Sequence, residues 1–169
     1  MSKTQGRSGE TRASTPTPTI KRILVAVDGS ENAERASHVA VDLAQKYQAE
    51  LLVLHVIARP SYSYVPMFPT VTPPPQRAYD EYYAYGKRAA EGYVSKAVTL
   101  AESQGVKARA EVREAVPSIV QGITEHALNE KVDLIVVGTR GLGGFKKLLI
   151  GSVSSGVVAH AHCPVLIVR

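Results

Sequence analysis

Three short apolar runs constrain the fold of this chain more than any other feature: Ile-Leu-Val-Ala-Val-Asp at 23–28, Leu-Leu-Val-Leu-His-Val-Ile at 51–57 and Asp-Leu-Ile-Val-Val-Gly at 133–138. Unbroken runs of this kind, rich in β-branched residues, suit strands covered on both faces, as in a parallel sheet. After the first run, Ala33, Ala36, Val39, Ala40, Leu43, Ala44 and Tyr47 recur at helical spacing, with Ser30 placed as an N-cap. A second helix is predicted from about Ala78 to Gln104, with Gly105 as its stop. Residues 107–113 alternate Val and Ala with charged side chains, as a half-exposed strand does. Pro117 suits the first turn of a third helix ending near Glu130. A short helix from about Ser152 and a strand at 164–168 follow.

The order is therefore β-α-β-α-β-α-β-α-β, and helices between strands require parallel pairing with right-handed crossovers. The predicted fold class is α/β, a single doubly wound, Rossmann-like domain. Its five-stranded parallel sheet has order 3-2-1-4-5 and helices on both faces. Ligands in such folds bind beyond the carboxyl ends of the strands, where the strand order reverses. Those ends are Asp28, the region after Ile57, and Gly138.

Residues 1–19 are rich in Ser, Thr, Gly and Pro and poor in large apolar side chains, so they read as a disordered tail preceding a domain at 20–169. Residues 58–77 hold Pro60, Pro66, Pro69, Pro73, Pro74 and Pro75 and read as a long loop. Charge follows this division. Through Arg22 the chain carries Lys3, Arg7, Arg12, Lys21 and Arg22 against Glu10 alone, which accounts for most of the net +5. A nearly neutral folded part argues against a nucleic-acid-binding face. The lone Cys163 excludes an intrachain disulfide and agrees with a reducing, cytoplasmic setting. No run approaches the roughly 20 apolar residues of a membrane span.

The chemistry is carried by the segment after the third apolar run. Gly138, Gly141, Gly151 and Ser152 fall in the skeleton G-x2-G-x9-G-S, between a buried strand and a helix start. Glycines admit close backbone approach to a polyphosphate and permit positive φ, so successive N–H groups can form an anion nest. Ser152 and Ser154 at the helix start add hydroxyls where free N–H groups and the helix dipole favour negative charge. A plain Gly-rich turn is the bland alternative. Asp28, at the end of the first strand, is placed for a ribose hydroxyl, or else stabilises an Asx turn before Gly29. No G-x4-G-K-[ST] is present, nor G-x-G-x-x-G after the first strand, and no acid or base is matched to an attacking water. Binding is therefore expected rather than catalysis, and no catalytic residue is assigned.

In this motif, in the opening Ile-Leu-Val-Ala-Val-Asp-Gly-Ser, in the Leu-His-Val of the second strand and in the closing Cys-Pro-Val-Leu-Ile-Val-Arg, the chain resembles the ATP-binding branch of the universal stress protein family over about Lys21 to Arg169. The resemblance implies ATP, or ADP or AMP, as ligand, with a divalent cation such as Mg held by the phosphates. It implies Asp28 near the ribose and Ala26, Val27 and Val56 against adenine, with Val137 and Gly138 beside them. Arg140, Gly141, Gly151, Ser152, Val153 and Ser154 then complete the site. It also implies a regulatory role in stress or energy signalling and a homodimer built on the strand at 164–168, together with a protein partner yet to be identified. The competing classes are a slow ATPase or adenosine-phosphate hydrolase, and a chaperone or adaptor acting through the Pro/Tyr-rich segment.

Other candidates read as structural. His160, His162 and Cys163 fit no zinc spacing and read as helix-end packing, so no metal site is assigned to protein side chains. His55 reads as a satisfied core residue, and Lys146 and Lys147 as solvated. Tyr79, Tyr82 and Tyr83 share a helical face that packs on the sheet, or else forms an aromatic lid or a protein contact. Removing residues 1–19 is expected to leave melting temperature and nucleotide affinity unchanged, because the tail has no apolar anchors. Thermal melting and calorimetry of the truncated chain check this, and a large fall in either would mean that the tail docks.

Overall fold

A computed structural model describes residues 19–58, 76–115, 118–142 and 149–169. Among these residues nine elements succeed one another: β1 (Arg22–Ala26), α1 (Glu31–Tyr47), β2 (Glu50–Ala58), α2 (Gln76–Ser103), β3 (Ala108–Ala115), α3 (Ile119–Asn129), β4 (Leu134–Gly138), α4 (Ser152–His160) and β5 (Val165–Val168). The strands form one parallel sheet of order β3-β2-β1-β4-β5, as the sequence predicts. The tail expected at 1–19, apart from Thr19, and the Pro-rich loop expected at 58–77, apart from its ends, lie outside the described residues. Those ends belong to neighbouring elements: Ala58 closes β2, and Gln76 and Arg77 open α2.

Alternation along the central strands explains why they are apolar throughout. Ile23, Val25 and Val27 pack with Leu51, Val53 and Val136 under α1 and α2. Leu24, Leu52, Leu54, Val56, Ile135 and Val137 face the opposite way, under α3 and α4. Each large apolar side chain buried in this way contributes about 1.5–3 kcal/mol relative to exposure, so a polar residue at any of these positions would be costly. The start of β1 is fixed by Asp133, whose Oδ2 accepts from the backbone N–H of Lys21 at 2.8 Å and of Arg22 at 2.9 Å. Asp133 thus precedes β4 instead of opening it.

Ser30 caps α1 as expected, its Oγ accepting from the Ala33 N–H at 3.2 Å. The buried face of α1 differs slightly from the periodic reading. Ser37 and Val41 are buried, whereas Tyr47 is exposed in the last turn. The Ser37 hydroxyl donates to the Ala33 carbonyl at 2.9 Å, which makes its burial tolerable. Gly105 ends α2 at φ +73°, and the Val106 N–H returns to the Ala101 carbonyl at 2.9 Å. The third helix begins later than Pro117 suggests. Ser118 is its N-cap, with Oγ accepting from the Gln121 N–H at 3.1 Å, and Pro117 lies outside the described residues. Among the described residues no helix is long and apolar enough to cross a membrane.

Candidate functional site

The carboxyl ends of β1 and β4 meet side by side, with Ala26 in register with Val137. Ala26, Val56, Val137 and Val153 all belong to the apolar cluster on the α3/α4 face, the face that also carries the start of α4. The structure therefore brings together four of the apolar residues that the sequence assigned to a ligand. Val27 does not join them. Its side chain lies in the α1/α2 cluster, its N–H donates to the Leu54 carbonyl at 2.9 Å, and its own carbonyl lies 2.7 Å from His55 Nδ1. Period-two alternation puts neighbouring residues of a strand on opposite faces, so Ala26 and Val27 cannot both line one pocket with their side chains. The His55 contact satisfies that ring as the sequence reading expected, and Tyr93 packs beside it, tilted by 52° at 5.7 Å between ring centroids.

Asp28 has two structural duties. Its Oδ1 accepts from the Ser30 N–H at 3.0 Å, the Asx-turn bond weighed above. Its Oδ2 accepts from the Leu142 N–H at 3.0 Å, across 114 residues of sequence, and so clamps the glycine-rich loop to the end of β1. A carboxylate offers about four lone-pair sites, so two acceptances leave capacity for ribose hydroxyls.

The glycines of the skeleton are needed for a different reason from the one expected. Among the described glycines only Gly29 and Gly105 have positive φ, so Gly138, Gly141 and Gly151 do not use that freedom. Close approach is what excludes a side chain. A Cβ on Gly138 would lie 2.8–2.9 Å from Asn32 in α1, and one on Gly141 would lie 2.2 Å from Asp28 Oδ2. One on Gly151 would meet the Thr139 carbonyl oxygen at 3.2 Å. Gly138→Ala is accordingly expected to cost about 1–3 kcal/mol, several degrees of melting temperature for a domain of this size. Thermal denaturation checks it, and an unchanged melting temperature would mean that α1 gives way freely.

The loop returns to the sheet through Gly151, whose N–H donates to the Thr139 carbonyl at 2.7 Å. Gly151 is the N-cap of α4 and supplies no side-chain cap, and the first internal helix bond runs from Ser155 N–H to the Gly151 carbonyl at 2.9 Å. The N–H groups of Ser152, Val153 and Ser154 are the donors that a helix start leaves without an intrahelical partner. Ser152 is exposed beside them. Ser154, expected as a phosphate donor, is buried, and its Oγ donates to the Gly138 carbonyl at 2.7 Å. Its hydroxyl thus joins α4 to the end of β4, and only its backbone N–H remains for a ligand. Arg140 lies within the same loop. Its carbonyl accepts from Ser30 Oγ at 3.4 Å, and its Nε is buried without a hydrogen-bond partner among the described residues. Gly143, Gly144, Lys146 and Lys147 lie outside the described residues.

This combination of a clamped glycine loop, an uncapped helix start and an Asp at the β1 end coincides with a match to the universal stress protein family model over residues 19–169. The chain belongs to the universal stress protein family. Its relatives include the universal stress protein YxiE of Bacillus subtilis, 36% identical over 89% of this chain and 99% of that protein. Among solved universal stress proteins, UspA from Lactobacillus plantarum superposes with a TM-score of 0.68 at 29% identity, covering 90% of this chain and 100% of its own. Another, solved in complex with cAMP, superposes with a TM-score of 0.65 at 25% identity, covering 90% and 99%.

A separate cavity of about 470 Å³ opens between α1 and α2, lined by Val27, Glu34, His38, Tyr93, Lys96 and Leu100 among others. A Cβ on Gly29, at φ +82°, would meet the Tyr93 ring at 2.4 Å, so this turn and α2 are fitted to each other. Lys96 Nζ reaches Glu34 Oε1 at 2.8 Å, and that contact foremost holds the Glu34 carboxyl below its usual pKa. Of the tyrosine face expected on α2, Tyr83 is half-buried, while the side chains of Tyr79 and Tyr82 lie outside the description. His160 Nδ1 lies 2.8 Å from the Gly156 carbonyl and His162 Nε2 lies 3.2 Å from the Val132 carbonyl, which is the helix-end role expected of both. Cys163 is half-buried, and burial foremost raises its thiol pKa.

Proposed function

We propose that this protein binds an adenine nucleotide, ATP in the first place, in the crevice between the carboxyl ends of β1 and β4, and that occupancy regulates its contacts with other proteins in a cytoplasmic stress response. The observation that carries this reading is the loop at 138–142, tied by Asp28 and lying beside the uncapped start of α4. The base rests on Ala26, Val56 and Val137. Ribose hydroxyls bind the free lone pairs of Asp28. The phosphates take the N–H groups of Ser152, Val153 and Ser154, the Ser152 hydroxyl and the half-buried Arg140 side chain, with Gly138, Gly141 and Gly151 keeping side chains out of their path. Charged acceptors make such bonds worth about 1.5–3 kcal/mol each. A divalent cation such as Mg is held by the phosphates. The universal stress protein solved with cAMP supports an adenine ligand on this fold. Two copies pair through β5, which lies at a sheet edge.

The experiment is to purify the protein without added nucleotide, denature it and identify what is released by mass spectrometry. An adenine nucleotide near one per chain is expected. Protein that releases none, and gives no calorimetric response to ATP, ADP or AMP, overturns the proposal.

A further inference from the structure

At the end of the sheet away from the glycine loop, His126 of α3 is 2% exposed, yet neither of its ring nitrogens has a hydrogen-bond partner among the described residues. A buried imidazole in that state loses the hydration it had in water with nothing in return unless something else takes its lone pair. Its Nε2 lies 3.2 Å from Glu111 Oε2 on β3, a hydrogen-bond distance without hydrogen-bond orientation. Glu130, the C-cap of α3, completes a group of three whose ligand atoms all lie within 4.8 Å of one another.

We propose that Glu111, His126 and Glu130 form a binding site for one divalent transition-metal ion of the zinc class, which pins the edge strand β3 to α3. Zinc takes imidazole nitrogen at about 2.0–2.1 Å and carboxylate oxygen at about 2.0–2.2 Å, so two ligand atoms on a tetrahedral edge stand about 3.3 Å apart. The His126–Glu111 separation of 3.2 Å already has that value. The two glutamate side chains are about 30% and 27% exposed, which leaves them room to turn and leaves water access to the fourth position. Burial foremost holds the His126 pKa below the ordinary imidazole value, favouring the neutral ring that a metal needs.

The surrounding arginines orient the carboxylates. Arg113 pairs with Glu111 through Oε1, the oxygen turned away from His126. Arg109 pairs with Glu130 through Oε2, and its Nη1 lies 4.0 Å from Glu111 Oε2. Each glutamate thus engages its nearest arginine through one oxygen and has a second to offer. Such outer partners of a metal site fix ligand orientation, although the positive charge here also tempers the affinity. Imidazole with carboxylates suits zinc over magnesium, which prefers oxygen ligands and water.

The test uses the full chain without an affinity tag, stripped with a chelator and titrated with zinc chloride by calorimetry, with melting temperature as a second readout. One saturable zinc per chain and a rise in melting temperature are expected. Glu130→Gln, which keeps the size of the side chain and a hydrogen-bond acceptor for Arg109 while removing the carboxylate charge, is expected to weaken zinc binding at least tenfold. His126→Gln is expected to abolish the zinc-dependent rise in melting temperature. A His160→Gln/His162→Gln double variant is expected to bind zinc as the wild type does. Absence of saturable binding overturns the proposal, as does binding that survives both Glu130→Gln and His126→Gln or disappears in the double variant.

Discussion

Gly151→Val is expected to weaken ATP binding at least about a hundredfold while leaving the fold in place. Gly151 has φ −73° and ψ 160°, an extended conformation that valine adopts readily, so the backbone is not strained. The added side chain has a specific obstacle instead. Its Cβ would stand 3.2 Å from the Thr139 carbonyl oxygen and 3.5 Å from Arg140 Cα, and the γ-methyls would press further on that backbone. The loop then moves off the start of α4, and the N–H groups of Ser152 to Ser154 no longer face phosphates together with Arg140. Losing two bonds to a charged group, at about 1.5–3 kcal/mol each, gives a hundredfold or more at about 1.4 kcal/mol per tenfold. Gly151→Ala, with one methyl at a tight but adjustable distance, is expected to lose less. Calorimetry with circular dichroism checks the series, and full affinity in a folded Gly151→Val would remove the phosphate site from this loop.

The second large effect concerns assembly, where Ile167→Pro is expected to convert the proposed dimer to monomers. In the ladder between β4 and β5, Ile135 N–H donates to the Pro164 carbonyl at 3.0 Å and Thr139 N–H to the Val168 carbonyl at 2.7 Å. Parallel strands alternate the direction of their backbone groups, so residues 164, 166 and 168 turn toward β4, and Val165 and Ile167 present their N–H and C=O groups at the free edge. An apolar edge of this kind is a template for another strand, and two copies can satisfy it antiparallel about a twofold axis. Proline at 167 removes a donor at that edge without removing a bond to β4, a position edge strands tolerate. The side chains of Val165 and Ile167 both lie in the α3/α4 cluster, so neither points in the plane of the sheet toward a partner. An aspartate at either position would therefore disturb the domain's own packing, and the proline is the cleaner probe. Light scattering should read twice the monomer mass for the wild type and the monomer mass for the variant. A wild type that stays monomeric at high micromolar concentration with and without ATP, or an unaltered dimer in Ile167→Pro, would dissociate assembly from this edge.

The sheet was legible because its central strands are buried on both faces, which leaves continuous runs such as 23–28 and 51–57, and because helical periodicity between them points to parallel crossovers. The Ser30 cap of α1 was equally plain, whereas the Ser118 cap of α3 was hidden behind Pro117. What the sequence concealed is mostly a matter of facing. Ala26 and Val27 are adjacent letters on opposite sides of the sheet. Ser152 and Ser154 both look like phosphate donors, yet Ser154 is turned inward onto the Gly138 carbonyl. The glycines were legible by position, but their reason, the approach of Asn32, Asp28 and Thr139, is a tertiary fact. His126 and Glu130 stand four residues apart at the end of α3, but Glu111 joins them only through the packing of α3 on β3, so the group as a whole was not legible.

The central claim, an adenine nucleotide between β1 and β4, is tested most directly by heteronuclear NMR of the isotopically labelled protein, stripped of bound nucleotide and titrated with ATP. Amide shifts are expected to concentrate at Ala26–Asp28, at Gly138–Leu142 and at Gly151–Ser154, saturating together. Shifts confined to the cavity between α1 and α2, around Glu34, Tyr93 and Lys96, or no shifts at millimolar ATP, would contradict it.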